Sequence, residues 1–204
     1  MHVARRAAAI AGLLAAAPAG AAEWHTKDDR GVQVQAAVGV LTFPGQVADD
    51  VEPGAAFGVL VGIEPVPVAE LELSYQGAAY RTSRLVSPQQ ESVVEHGVQA
   101  LVKASPQYGA IEPYLFAGYG LTVVQVEEQV GGPGVVLDDT LHKFPFGAGI
   151  DFHVPAGGPG GTELLIGARG TYSPIIDNQA YTVADQNDRS ADQLAATLNL
   201  GAQF

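Results

Sequence analysis

The chain has 204 residues, 47% of them apolar and only 16% charged, with 10 Lys and Arg against 22 Asp and Glu and no cysteine. A net charge of −12 argues against a nucleic-acid partner, which is held through clustered basic side chains, and the absence of cysteine removes disulfide frameworks and thiolate metal sites. With 25 Gly and 13 Pro, the composition favours short strands joined by turns over helices.

Residues 1–22 have the order of parts of a secretory signal peptide: Arg5 and Arg6, an apolar stretch from Ala7 to Ala17, then small residues ending on Ala21 and Ala22. That stretch falls short of the ~20 residues needed by a spanning helix, so cleavage after Ala22 or Ala21 is expected. The leader holds two of the 10 basic residues and none of the 22 acidic ones, so the mature chain carries a net charge of −14.

After the leader there is no uninterrupted apolar run of about 18 residues, and alternation takes its place. Segments 31–40 and 55–63 alternate first. In 69–76, Leu71, Leu73 and Tyr75 oppose Glu70, Glu72, Ser74 and Gln76. Segment 93–103 is weaker because His96 interrupts its apolar face. Segment 113–126 sets Leu115, Ala117, Tyr119, Leu121 and Val123 against Gly118, Gly120 and Thr122, with Tyr114 and Phe116 as exceptions at early inner positions. Segment 144–154 alternates Phe146, Ala148, Ile150 and Phe152 with Gly147, Gly149 and Asp151, and 163–173 places Leu164, Ile166, Ala168 and Tyr172 opposite Gly167, Arg169 and Thr171. The last segment, 193–204, is the clearest. Leu194, Ala196, Leu198, Leu200, Ala202 and Phe204 share one face, a coincidence expected roughly once in a hundred at this composition.

These are eight strands, and their connections alternate between long and short. Short turns are expected near Glu64–Pro67, 104–110 and 156–161; longer loops of about ten residues after the first strand, and near 77–92, 126–140 and 175–190. An even number of strands with alternating turn lengths predicts an all-β, eight-stranded antiparallel up-and-down transmembrane barrel over 31–204, with short periplasmic turns, longer extracellular loops and residues 23–30 as a periplasmic N-terminal segment. Alternation alone also suits a soluble periplasmic ligand-binding barrel with its apolar face turned inward. Against this, the polar face holds Gly, Thr, Gln and Asn rather than the Lys and Glu of a wetted surface. Gly58, Gly62, Gly118, Gly120, Gly147, Gly149, Gly167 and Gly201 lie on that face, as a narrow lumen requires, and Tyr75, Tyr119, Phe152, Tyr172 and Phe204 lie on the other, as in an interfacial girdle.

The strands PYLFAGYGL, FGAGIDFHV, LLIGARGTYS and LNLGAQF resemble the eight-stranded outer-membrane β-barrel family that includes the transmembrane domain of outer-membrane protein A. The resemblance spans essentially the whole mature chain. It implies a cell outer membrane location after export through the periplasm, contact with outer-membrane lipid and lipopolysaccharide, and a last strand ending in an aromatic residue, Phe204, recognised by the barrel-assembly machinery. No peptidoglycan-binding domain follows Phe204, so the anchoring role of longer relatives is not expected.

Candidate chemistry is sparse. Glu70, Glu72 and Asp151 share the inner face with Arg169, and Lys103 is expected near the periplasmic rim; counted from their turns, Glu72 and Arg169 lie at the most similar height and are expected to pair. Such charges would form either a structural plug or a small gated pore. Lipid A deacylases and palmitoyltransferases are barrels of similar size that use His and Ser facing lipid. Of His25, His96, His142 and His153, none lies two residues before a Ser, and the nearest cluster, Ser92 with Glu95 and His96, is divided because adjacent strand residues point to opposite faces. The Gly-rich stretch 157–161 lacks the Lys and Ser/Thr of a phosphate-binding loop and is a turn. Asp49–Asp50, Glu127–Glu128 and Asp138–Asp139 fall in loops without calcium-loop spacing. No catalytic, cofactor-binding or metal residue is assigned, and the surface ligand stays open. The expected role is structural or surface-interacting.

Overall fold

The computed structural model describes residues 31–44, 48, 51–82, 91–127, 139–156, 161–176 and 192–204. The signal peptide, the 23–30 segment, Asp49, Asp50, Glu128, Asp138 and most of the Gly-rich turn lie outside them.

Ten strand segments occupy eight positions around one closed ring: β1 (Val32–Thr42), β2 (Gly54–Val66), β3 (Ala69–Thr82), β4 (Glu91–Ala104), β5 (Ile111–Glu127), β6 (Asp139–Lys143), β7 (Phe146–Pro155), β8 (Glu163–Ser173), β9 (Ile175–Ile176) and β10 (Gln193–Gln203). Neighbours are antiparallel. The ring runs β1–β2–β3–β4–β5, continues through β7, β8 and β10, and closes where β10 pairs with β1. Among the described residues there is no helix.

Two prolines explain why ten segments make eight strands. β5 pairs with β7 over Ala117↔Phe146 and with β6 over Gly120↔Lys143, so the register continues unbroken across Phe144 and Pro145. Likewise β8 and β9 keep one register against β7 and β6 across Pro174. Proline has no N–H to give to the ladder, but the Pro145 and Pro174 carbonyls still accept from the Gly118 and Phe144 amides at 2.9 and 3.1 Å, so no side chain is shifted to the other face. The ladder register shifts between Ile63 and Val66, at the Pro65 turn into β3.

The strands run further toward the long loops than alternation indicated. β3 continues to Thr82 and β4 begins at Glu91, shortening the expected 77–92 loop. Gly77, Arg81 and Thr82 break the apolar pattern while the ladder persists. The first long loop is tied down beside them, with Val51 bridged to Thr82 and the Glu52 amide donating to the Arg81 carbonyl at 2.9 Å.

Side-chain facing settles what the alternation means. Val38, Leu73 and Leu198 are 64%, 62% and 67% exposed on the outer surface, whereas Glu70 and Lys103 are 1% exposed and Arg169 5% exposed inside. This is the reverse of a soluble barrel, and an apolar belt around the whole ring far exceeds the patches a soluble monomer exposes. The soluble ligand-binding alternative is therefore inverted relative to the observed facing. From Leu194 to Phe204 the chain climbs ten residue steps; at ~3.4 Å per step and a ~40° tilt this covers ~26 Å of membrane normal, matching an apolar band of ~25 Å. Outward Phe57, Tyr75, Tyr119 and Phe146 sit in the long-loop half of the belt, and Tyr108, Phe152 and Phe204 toward the short-turn end.

Leu198→Arg is expected to cost about 2–4 kcal/mol, because it places a cation near mid-bilayer, whereas Thr197→Ser, facing the lumen, is expected to be close to neutral. Urea unfolding in lipid vesicles measures both. Equal tolerance at the two sites would reverse the facing assignment.

Candidate functional site

Eight strands leave an interior wide enough only for packed side chains, and this chain fills it by setting glycine against bulk. Tyr114 and Phe116, which interrupt the small-residue pattern in the sequence, lie inside the barrel opposite Gly149 and Gly147. A Cβ on either glycine would run into those rings. The same complement recurs at Leu101↔Gly118, Gln99↔Gly120, Asp151↔Gly167 and Gln35↔Gly201. The aromatic pair is therefore a lumen filling made possible by glycines on the neighbouring strand.

The interior is layered. At its middle Arg169 forks onto Glu72, with Nη1 2.8 Å from one carboxylate oxygen and Nη2 2.5 Å from the other. The guanidinium also lies 4.4 Å from the centre of the Phe116 ring, and its Nε donates to the Tyr114 hydroxyl at 3.4 Å. On the short-turn side, the Lys103 ammonium is 2.6 Å from Glu70, 3.9 Å from Asp151 and 4.3 Å from the Tyr114 ring centre. Gln35 donates to both Gln33 and Asp151. Beyond them the His153 imidazole lies between two carboxylates, Nε2 2.6 Å from Glu112 and Nδ1 2.7 Å from Glu163.

On the long-loop side, Glu95 accepts from Lys143 at 2.6 Å, from the Tyr80 hydroxyl at 2.6 Å and from Gln193 at 2.8 Å, while Lys143 also donates to the Gln193 carbonyl at 2.7 Å. A cavity of about 50 Å³, bordered by Gln76, Gln99, Thr122 and Thr197, lies between this network and Arg169. Above it, among the described residues, the interior becomes mainly apolar. Leu41, Phe43, Val51, Tyr80, Val93, Val124 and Leu141 form a buried apolar cluster across the long-loop mouth, with Phe43 edge-on to Tyr80 at 4.8 Å.

The height argument for Glu72 and Arg169 matches the geometry. Lys103 is not a rim residue: it is enclosed, and the nearer partner of Asp151 is Lys103 rather than Arg169. Glu95, Lys143, Glu112, His153 and Glu163 had no place in the lumen set from sequence, although parity was available for some of them. Glu95, Gln99 and Lys103 have one parity on β4, and Asp151 and His153 one parity on β7. Lys143 was hidden because 139–143 has too few residues to display alternation and reads as loop.

His96 does face outward, as its disruption of the apolar face indicates, and its Nδ1 is 2.7 Å from the Tyr75 hydroxyl. His142 repeats the arrangement with Tyr119 on the next pair of strands. A tyrosine beside each ring offers the polar partner that a lipid-facing imidazole needs. Ser92, Glu95 and His96 are not assembled into a site, since Glu95 points into the lumen and is held by Lys143.

No protein-family model and no curated protein matches this sequence. Among solved structures, the chain is similar to Neisserial surface protein A, with TM-score 0.53 and 16% identity over 86% of this chain and 96% of that one. Outer membrane protein OprG from Pseudomonas aeruginosa gives TM-score 0.53 and 11% identity, over 86% and 96%. The attachment invasion locus protein Ail of Yersinia pestis, solved with the heparin analogue sucrose octasulfate, gives 0.51 and 14%, over 86% and 97%. At these identities the likeness is one of fold: a closed eight-stranded antiparallel barrel of the outer-membrane type.

Removing one partner of the central ion pair strands the other charge in the packed lumen. Glu72→Leu and Arg169→Met are each expected to destabilise by about 3–5 kcal/mol, and the two together by much less. Denaturant midpoints of the refolded variants supply this double-mutant cycle; additive effects would show that the pair is uncoupled.

Proposed function

We propose that this barrel resides in the outer membrane of a bacterium, after export through the periplasm, and acts there as a closed, non-catalytic element with a structural or surface-interacting role. The observation that carries this reading is the lumen. The Arg169–Glu72 fork, the Tyr114 and Phe116 rings and the apolar cluster at the long-loop mouth together fill its bore, and a cavity of about 50 Å³ is far from a continuous aqueous path. With the interior committed to packing, what remains for recognition is the outer surface and the loops. Outer-membrane lipid and lipopolysaccharide are the proposed partners of the apolar belt and its aromatic rim, and the barrel-assembly machinery that of the last strand during biogenesis.

A small gated pore is the second reading, favoured by the ionisable side chains placed from Glu163 at one end to Lys143 near the other. Conduction in this geometry requires the apolar cluster to move and the central pair to part. A lipid A-modifying activity has less support, because Ser92, Glu95 and His96 do not converge.

Planar-bilayer recordings of the refolded protein separate these readings. The closed barrel is expected to give no steady current, and Arg169→Ala to give none either, because the apolar cluster still closes the long-loop mouth. Steady conductance in the unaltered protein would favour the pore. The mass of lipid A is expected to be unchanged in cells expressing the chain, and a shift by one acyl chain would favour the enzyme.

A further inference from the structure

The outward face of β3 to β6 changes character along one line. Below it lie Leu73, Val98, Ala100, Tyr119 and Leu121, and above it, on the long-loop side, the outward positions are Arg81, Ser92, Gln125 and Thr140. His96 and His142 lie on that line, His96 opposite Val123 of β5 and His142 opposite Leu121. Where an apolar belt gives way to polar side chains, lipid headgroups begin. Both imidazoles are half-buried against the wall of the barrel at that depth.

Each ring is held at one nitrogen. The Tyr75 hydroxyl lies 2.7 Å from His96 Nδ1, and the Tyr119 hydroxyl is bonded to His142 Nδ1. A hydroxyl that donates to Nδ1 places the ring proton on Nε2 and makes that atom a donor. Among the described residues neither Nε2 has a protein partner. At headgroup depth the acceptors on offer are water and lipid phosphate, and phosphate makes the stronger, charge-assisted bond. Nothing on this face repels it: up to Arg81, Ser92, Gln125 and Thr140, the outward positions of β3 to β6 hold no carboxylate, and the charge they do hold is Arg81. By ladder spacing the two rings are two strands and two residues apart, roughly 12 Å, too far for one phosphate to bridge. Four residue steps below His96, ~14 Å along β4 and ~10 Å along the membrane normal, Ala100 opens an apolar cleft lined by Val61, Ile63, Leu71, Leu73 and Val102. That is a depth an acyl chain reaches from a headgroup at His96.

We infer that the Tyr75–His96 and Tyr119–His142 pairs are the two halves of a binding site for a doubly phosphorylated glycolipid of the lipopolysaccharide class, each imidazole Nε2 donating to one phosphate. The inference rests on the outer-membrane location proposed above and names the place where that lipid is held. Two separated donors suit a headgroup with two phosphates, whereas a phospholipid with one phosphate engages one ring at a time. The tyrosines act through the histidines as positioning residues, since the bond at Nδ1 sets which nitrogen carries the proton and how the ring is turned. An acyl chain of the same lipid runs down β3 and β4 toward the Ala100 cleft.

The test is a titration of the refolded full barrel in nonionic detergent with diphosphorylated lipid A, read by native mass spectrometry. Saturation at one lipid per barrel is expected, with affinity reduced about tenfold in His96→Phe and in His142→Phe, further in the double variant, and unchanged in Phe152→Leu at the short-turn end. Phosphatidylglycerol and inorganic phosphate are expected not to displace the bound lipid. A heat-shifted gel band establishes that each variant is folded; should a histidine variant not fold, Tyr75→Phe and Tyr119→Phe, which remove the Nδ1 partner, are expected to weaken binding and decide. Resistance to carbonate extraction from phosphatidylcholine vesicles tests the membrane belt separately, so its failure would sink the location and leave the site unsupported. In a barrel that does insert, absence of saturable binding, unaltered affinity in the folded histidine variants, displacement by phosphatidylglycerol or inorganic phosphate, or loss of binding in Phe152→Leu would overturn the site alone.

Discussion

The bore of an eight-stranded barrel is the constraint on which the rest of this molecule depends. With the ring closed, every second side chain must share a space only a few side chains wide, and every charge placed there must find its partner inside. Glycine opposite bulk is how the volume is met: Gly149 and Gly147 admit Tyr114 and Phe116, and those rings in turn flank Lys103 and Arg169. Arg169 forks onto Glu72 while its guanidinium lies over the Phe116 ring, a face that suits a weakly hydrated, planar cation taken out of water. The lumen is thus one packed polar core, and the belt outside it is the apolar surface that a soluble protein would have placed within.

The fold was largely legible because period-two alternation survives in every long strand and because turn lengths alternate around the ring. What was illegible has physical causes. β6 and the extended ends of β3 and β5 carry polar residues such as Thr140, His142, Arg81 and Gln125 at outward positions, so the apolar alternation fades there while the backbone pairing continues. Pro145 and Pro174 look like strand ends and are instead gaps in ladders whose register persists. Tyr114 and Phe116 look like errors of facing because the inner face was expected to be small throughout, whereas a narrow bore is filled by large residues set opposite glycine.

The interior charges were legible pairwise and not as a network. Height along the strands sufficed to match Glu72 with Arg169, since both lie on long, regular strands with clear turns. Glu95 with Lys143 required knowing that 139–143 belongs to the barrel. Outside the bore, His96 reads as a break in one strand and His142 falls between expected segments. They share one rim because β5 pairs with β4 on one side and with β6 on the other.

The central claim is that the apolar face of each strand meets lipid while its polar face is sealed inside. The chain has no cysteine, so single cysteines at positions 194–204 can carry a fluorophore without background. In vesicles containing quencher lipids labelled at successive acyl depths, probes at Leu194, Ala196, Leu198, Leu200 and Ala202 should be quenched, most deeply at Leu198. Probes at Thr197, Asn199 and Gly201 should be spared. Quenching without that alternation, or at the odd positions instead, would contradict the account.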